Sequence, residues 1–469
     1  MEDATTIRSF NALPTDILHR IFMDVGSNVR DKIRLSHVCK RWRTTALSFP
    51  LMWTNLDLNY LSIHTVGMVM QRSQGLPLSL HCSVWSALRH NVCMTELRRT
   101  REIDFSIDSY SQSTLRPFLE NTPAPFLVRC RLEYTSYEVQ APPIFGKQHA
   151  LLQDLTLINC RMAYAAGNYS GLRRLELRCT LEPDLTYPGD ECLIEVFKGC
   201  PDLEEVILHG CAVHPELTKA YVGHGHDIVL LPKLRSMDLR LRTSNVHAIT
   251  SSVQPALDVK LKISAYTCPN APEQDQVLSD HSPLMAVALG RARGLVLDGV
   301  TSSLHAFTDA TLKSEHTRIH LDYNHPHDVF GLLLKPIISS QMMLQLERLR
   351  LRQIADADVV TLLRSLPVLT TLDLAFEESN GAQAFNILSS VEAEARAGLC
   401  PELSSITLDG AFVDMVTRTA LIQLRAVFPK LRHLALHRCK LEVPVEMALD
   451  ALKDFGQVDW FSDQLPSFI

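Results

Sequence analysis

No run of about 18 apolar residues occurs in the chain, which excludes a membrane-spanning helix of the ordinary kind. The N-terminus, MEDATTIRSF, lacks the basic start and apolar stretch of a secretory signal. A cytoplasmic or nuclear protein is therefore expected, with no membrane partner. In such a compartment the 12 cysteines are expected to be reduced thiols, and since none forms a Cys-x-x-Cys pair no structural zinc site is indicated. Basic excess is lacking too: 46 Lys and Arg stand against 52 Asp and Glu, which leaves no case for a nucleic-acid face. Neither a phosphate-binding glycine loop nor a G-x-S-x-G nucleophile elbow appears, and no His-Glu-x-x-His occurs. No cofactor, no metal and no catalytic residue is predicted.

What remains is an ordinary folded composition, 46 % hydrophobic and 21 % charged over 469 residues, enough for several domains or one extended array. Near its start, NALPTDILHRIFMDV (11–25) reads as a short amphipathic helix entered through Leu13-Pro14 and closed by Gly26. Leu35, Val38, Cys39, Trp42 and Ala46 then recur at steps of three and four and predict a second apolar helical face, ended by Pro50. Residues 10–50 thus form a helical unit too small to bury much core alone, after a flexible tail at 1–9.

From residue 51 the texture changes to a repeated phrase, L-x-x-L-x-L. It occurs in LLQDLTLINC (151–160), GLRRLELRC (171–179), PDLEEVILHGC (201–211), PKLRSMDL (232–239), LERLRL (346–351), PVLTTLDL (367–374), PELSSITLDG (401–410) and PKLRHLALHRC (429–439). The L-x-L pair puts two side chains on one face of a short strand because strand side chains alternate. Weaker copies stand at 76–82, 101–107, 126–134, 256–263, 293–300 and 317–323, and QVDWF (457–461) is a candidate last strand. Taking Leu58, Leu80, Phe105, Leu132, Leu157, Leu177, Leu208, Leu239, Leu261, Leu297, Leu321, Leu351, Leu374, Leu408 and Leu436 as equivalent gives a period of about 20 to 36 residues, that of leucine-rich repeats. Helix-compatible stretches at 190–200, 356–367 and 417–429 lie between phrases. The fold class expected is an α/β solenoid: a small all-α N-terminal domain, then an irregular leucine-rich-repeat array over 51–469 with a curved parallel sheet. Cys160, Cys211 and Cys439, closing their phrases, are expected to be packing residues. The polar loop 267–282 is the expected mobile excursion.

LPTDILHRIF followed by LSHVCKRWRTTAL and FPLMW resembles the F-box motif in its fungal form, whose pattern is L-P-x-E-[IV]-L-x-x-I-F, then V-C-[KR]-x-W. Leu13, Pro14, Ile17, Leu18, Ile21, Phe22, Val38, Cys39 and Trp42 stand at matching positions, and Asp16 keeps the charge of the family's Glu. F-box proteins dock on a Skp-family linker that joins a cullin-RING ubiquitin ligase. The resemblance therefore implies an SCF substrate adaptor, not an enzyme: those nine residues contact the linker and the repeats hold an unknown protein to be ubiquitinated and degraded by the proteasome. Pro14 suits a first helical turn, where its missing N–H costs little. The competing reading of the segment is a plain helical cap over the first repeat.

Two alternatives to the adaptor remain. One is an F-box scaffold acting outside ubiquitination. The other is a metal-dependent enzyme using GHGHD (223–227), with His224, His226 and Asp227, or DYNHPHD (322–328), with Asp322, His325, His327 and Asp328. Polar loops with surface histidines account for both clusters more simply. The basic runs KRWR (40–43) and LRRTR (97–101) read as solvated faces, with Trp42 turned inward and Glu96 and Glu102 balancing the second. Substrate contact is expected from strand residues facing away from the core: Thr156, Glu176, Asp238, Arg350, Asp373 and Thr407, with Ile207 and Ala435 beside them.

Overall fold

The computed structural model describes the chain from Leu13 to Phe461 with interruptions, the longer ones being 84–92, 109–114, 141–150, 162–168, 180–192, 211–227, 267–282, 308–316, 324–344, 353–358, 377–385 and 392–399. The expected tail at 1–9, the polar loop and most of both His/Asp clusters lie outside the described residues. The chain divides into two compact units, Met1–Leu203 and Glu204–Ile469.

In the first unit, three short helices open the chain: α1 (Thr15–Asp24), α2 (Val29–Ser36) and α3 (Lys40–Leu47). Pro14 precedes α1 and its carbonyl accepts from Leu18 N at 3.1 Å. Asn28 caps α2 by accepting from Arg30 N, and Cys39 caps α3, its Sγ accepting from Trp42 N at 3.5 Å. Cys39 is extended (φ −159°, ψ 171°), so it breaks the chain between two helices. The apolar periodicity through Leu35, Val38, Cys39, Trp42 and Ala46 therefore spans two helices, and only Trp42 and Ala46 of that set are buried.

Phe22 meets Trp42 edge to face at 5.6 Å between ring centres. A single-turn helix, Pro50–Trp53, places Trp53 so that its indole N–H donates to Ala46 O at 2.9 Å. Leu18, Val29, Ala46, Met52 and Trp53 complete this core. The same helices close the edge of the first strand, β1 (Asn55–Asp57): Asp57 N donates to Ser27 O at 2.8 Å, Asn28 bridges Asp57, and Lys32 Nζ donates to Asn55 O. An open sheet edge is thereby covered. Contacts thus cross residue 50, and the helical segment packs as part of the first unit.

The strands β1, β2 (Leu78–Cys82), β3 (Thr100–Ile107), β4 (Arg129–Tyr134), β5 (Asp154–Ile158) and β6 (Arg174–Arg178) pair in sequence order, all parallel. Leu56, Leu80, Ile103, Cys130, Leu155 and Leu175 form one buried column; Cys82, Phe105, Leu132, Leu157 and Leu177 form the next. Leu80 is accordingly level with Ile103 and not, as assumed, with Phe105. A two-residue slip keeps a side chain on the same face, so alternation alone does not expose it. After β1 comes α4 (Ile63–Arg72), and Arg99 serves its C-terminal end: its guanidinium donates to Met70 O at 3.1 Å and to Ser73 Oγ at 2.8 Å.

In the second unit the described main-sheet strands are β7 (Glu205–His209), β8 (Ser236–Arg242), β9 (Lys260–Tyr266), β10 (Gly294–Asp298), β11 (Ser303–Phe307), β12 (Thr317–Tyr323), β13 (Arg348–Arg352), β14 (Thr371–Ala375), β15 (Ser405–Asp409), β16 (His433–His437) and β17 (Gln457–Phe461). They do not follow chain order throughout. β9 pairs with β12 in parallel, β12 with β11 and β11 with β10 in antiparallel, and β10 with β13 in parallel. One meander therefore sits reversed among parallel strands, where the sequence suggests a plain succession of repeats. Leu239 is level with Ile263, not Leu261, while Leu297, Leu351, Leu374, Leu408 and Leu436 are level as expected.

Four of the phrases end with a left-handed residue just after their strand: Asn159, Gly210, Gly410 and Arg438 all have positive φ. Their amides donate forward to Arg178, Arg240, His437 and Phe461 carbonyls. Gly410 is obligatory at its site, since a Cβ there would meet Phe376 O at 2.6 Å. Cysteines satisfy neighbouring turns: Cys439 Sγ donates to Leu408 O at 3.4 Å, Cys200 Sγ to Tyr169 O at 2.8 Å and Cys400 Sγ to Leu363 O at 3.4 Å. Burial pushes all three thiols up to about 12. The packing role expected for Cys439 is what its contacts show; Cys211 and the side chain of Cys160 lie outside the described residues. Among those residues no helix is long and apolar enough to cross a membrane.

Candidate functional site

The nine positions expected to face a linker divide by burial. Leu18, Phe22 and Trp42 are 0, 1 and 7 % exposed, so they hold the three helices together and offer almost no surface for another protein. This corrects their place in a contact set: aromatic and leucine side chains of this size bring the most stabilisation when enclosed, about 1.5–3 kcal/mol each. Leu13, Ile17, Ile21 and Cys39 are half-buried, and Pro14 is exposed. Val38 is 58 % exposed. Exposed apolar side chains absent from the expected set are Met23, Leu47 and Leu51. Leu47 carries a sequence signal, since it continues the spacing of Lys40, Arg43 and Thr44 along one face of α3.

That face of α3 is exposed at Lys40, Arg43, Thr44 and Leu47, while Trp42, Thr45 and Ala46 turn inward. Arg43 approaches His37 Nδ1 at 3.3 Å. Arg41 donates to Leu13 O, which ties the Leu-Pro entry of α1 to α3. Cys39, Lys40, Arg41 and Thr44 line an open depression at this end of the helix.

The outward face of the strands is the second surface. In the first unit it carries charges that alternate in sign from strand to strand: Glu102, Arg129, Asp154 and Arg174 are level with one another. Arg129 lies 3.6 Å from Glu102 and 3.1 Å from Asp154, and Arg174 lies 3.3 Å from Asp154. Thr156 and Glu176 are register neighbours, both nearly enclosed, with Glu176 paired to Arg174 and Arg178. The hydrogen bond from His81 holds the Asp104 carboxyl below its ordinary range, against the opposing push of partial burial.

In the second unit Arg350, Asp373 and Thr407 lie side by side on β13–β15. Asp373 is paired with Arg348 at 2.7 Å, and Arg350 with Asp409 at 3.1 Å, which Arg438 also meets at 2.9 Å. Asp238 stands elsewhere in that unit, 3.2 Å from His209. Burial pushes its carboxyl up, but the bond from His209 and the charges of His209, Arg240 and Lys262 bring it below the usual range. The outward residues singled out from the sequence are thus largely occupied by their own sheet: each acid among them has a cation of the same unit.

Ser405, His433 and Asp459 form a line that sequence order does not reveal. Ser405 Oγ is 2.8 Å from His433 Nδ1, and His433 Nε2 is 2.9 Å from Asp459 Oδ2. The Ser405 and His433 amides are committed to Thr370 O and Ser404 O. Neither of these two amides is therefore free to donate to a group beside the Ser405 hydroxyl. Among the described residues no group of three His, Cys, Asp or Glu side chains could hold a metal ion. His224, His226, Asp227, His325, His327 and Asp328 lie outside them.

A family model described as F-box-like matches residues 10–59. The N-terminal helices are F-box-like. The match extends through β1, the strand that these helices close. No curated protein matches the chain. Among solved structures, the one titled "Crystal structure of TLR13-ssRNA13 complex" aligns at 13 % identity over 82 % of this chain and 48 % of that one, with a TM-score of 0.31. The chain thus spans about half the length of that protein, and a likeness at this level carries no argument about fold or ligand.

Proposed function

We propose that this protein is a substrate-recognition adaptor of an SCF-type ubiquitin ligase. Its F-box docks a Skp-family linker, and through it a cullin-RING ligase. The parallel strands act as an irregular leucine-rich-repeat solenoid that presents a protein for ubiquitination and proteasomal degradation. The chain positions its target, and the ligase supplies the chemistry. The observation that carries this reading is the F-box-like match falling on a helical unit that completes its own core yet keeps Pro14, Val38, Met23, Leu47 and Leu51 open. Apolar helical surface of this kind is what a partner groove takes. The cap reading is compatible with it, because the inner side of the same unit closes β1.

Pull-down of the full chain with a purified Skp-family linker tests the proposal. Wild type is expected to bind, and Leu13→Ala/Pro14→Ala and Val38→Glu to lose binding while remaining folded. Absence of binding by wild type overturns it. Linker binding without cullin-dependent turnover of any bound protein would favour a scaffold acting outside ubiquitination.

A further inference from the structure

The F-box segment differs in charge from the chain that carries it. Residues 10–59 contain seven Lys or Arg and four Asp or Glu, a balance of +3, whereas the whole chain carries −6. Lys32 is buried, but Arg20, Arg30, Arg34, Lys40 and Arg43 are exposed. Of the exposed acids in the segment, Asp16 and Asp24 belong to α1, and α3 has none. On α3 the cations share one exposed stripe with Leu47, and Val38 and Leu51 stand just before and after the helix. The Lys40, Arg41 and Thr44 side chains meet at the depression described above.

Given the docking role proposed above, on which this rests, we infer that the α3 stripe selects an acidic partner face. The linker surface that covers Val38, Leu47 and Leu51 must then present carboxylates to Lys40 and Arg43, with one reaching the depression beside Arg41. Two observations support this occupant over a neutral apolar one. Lys40 and Arg43 share the exposed stripe of Leu47, between the open Val38 and Leu51. No carboxylate of α3 competes for them. Opposite charges around an apolar centre raise the rate of encounter and exclude wrong partners more than they deepen the final affinity.

Association of the full chain with a purified Skp-family linker, followed by stopped-flow fluorescence from low to high salt, tests this. Wild type is expected to associate roughly 10-fold or more faster at low salt than at high salt. Lys40→Glu/Arg43→Glu is expected to lower the low-salt rate by about the same factor and to flatten the salt dependence, with the dissociation rate little changed. Arg98→Glu/Lys453→Glu makes the same change in net charge at exposed positions outside the F-box and is expected to leave the rate near wild type. Thermal melts of each variant should match wild type, since all four positions are exposed or at the surface of their helices. A salt-independent rate for wild type, or equal slowing by both double variants, overturns the inference while leaving linker docking intact. Failure of wild type to bind at any salt overturns both.

Discussion

The ammonium group of Lys32 donates a hydrogen bond to the carbonyl oxygen of Asn55, so a charged side chain of α2 fastens the first strand to the F-box. It is 2 % exposed, and burial lowers its pKa from 10.5 to about 8. Below pH 8 both folded and unfolded chains hold this proton, and the cost of burying the charge is fully present. Between about pH 8 and 10.5 the native state has released a proton that the unfolded chain keeps, so stability rises with pH in that window. The gain is about 3 kcal/mol at most. Unfolding of wild type and Lys32→Met, followed by tryptophan emission at pH 7, 9 and 10.5, should show their difference shift in favour of wild type as pH rises. A difference that stays constant with pH contradicts this account of Lys32.

Gly410 and Gly456 provide a matched pair. Both have positive φ, but only at Gly410 does a Cβ strike backbone, whereas at Gly456 the nearest atom is Arg432 O at 3.5 Å. Gly456→Ala is expected to cost about 1 kcal/mol from conformation alone. Gly410→Ala should cost distinctly more, about 2–4 kcal/mol, because Phe376 must move as well. Thermal melts of the two variants compare them, and equal shifts would show that the turn after β15 yields freely.

Asp409 is nearly enclosed between Arg350 and Arg438. Asp409→Asn should destabilise the protein by about 3 kcal/mol, since two guanidinium groups lose a buried counter-charge. By contrast Lys430→Gln, which breaks an exposed pair with Glu402, should change stability by less than about 1 kcal/mol. Chemical denaturation of both variants checks the ranking, and comparable losses would mean that the outward face is solvated.

Cys200, Cys400 and Cys439 should stay unmodified by iodoacetamide at pH 8 in the native protein. Their thiols are buried, engaged with carbonyl oxygens and pushed up to about 12. Peptide mass spectrometry before and after denaturation reads the outcome. Rapid native labelling of any of the three would contradict the packing role.

Much of this was legible in the residues. The L-x-L phrase located strand after strand, because alternation is a strict consequence of extended backbone. It could not report direction, which is why the antiparallel β11 and the reversed order of β10–β12 emerge only in three dimensions. Nor could it separate Leu261 from Ile263, since both lie on the same face of β9. In the F-box-like segment, apolar spacing did not report burial: Phe22 and Trp42 face each other, whereas Val38 escapes at the break before Cys39. Charges on the outward face looked unassigned until register set Arg129 between Glu102 and Asp154. Pairing across strands is a property of register, and no single strand contains it.

The central claim is that exposed apolar side chains of the F-box serve a linker protein. Isothermal titration of the full chain with a purified Skp-family linker, using wild type, Val38→Glu and Leu51→Asp, tests it most directly. A 1:1 complex with wild type, lost by both variants at unchanged melting temperature, is the predicted result. No complex with wild type, or binding unaffected by either variant, would contradict it.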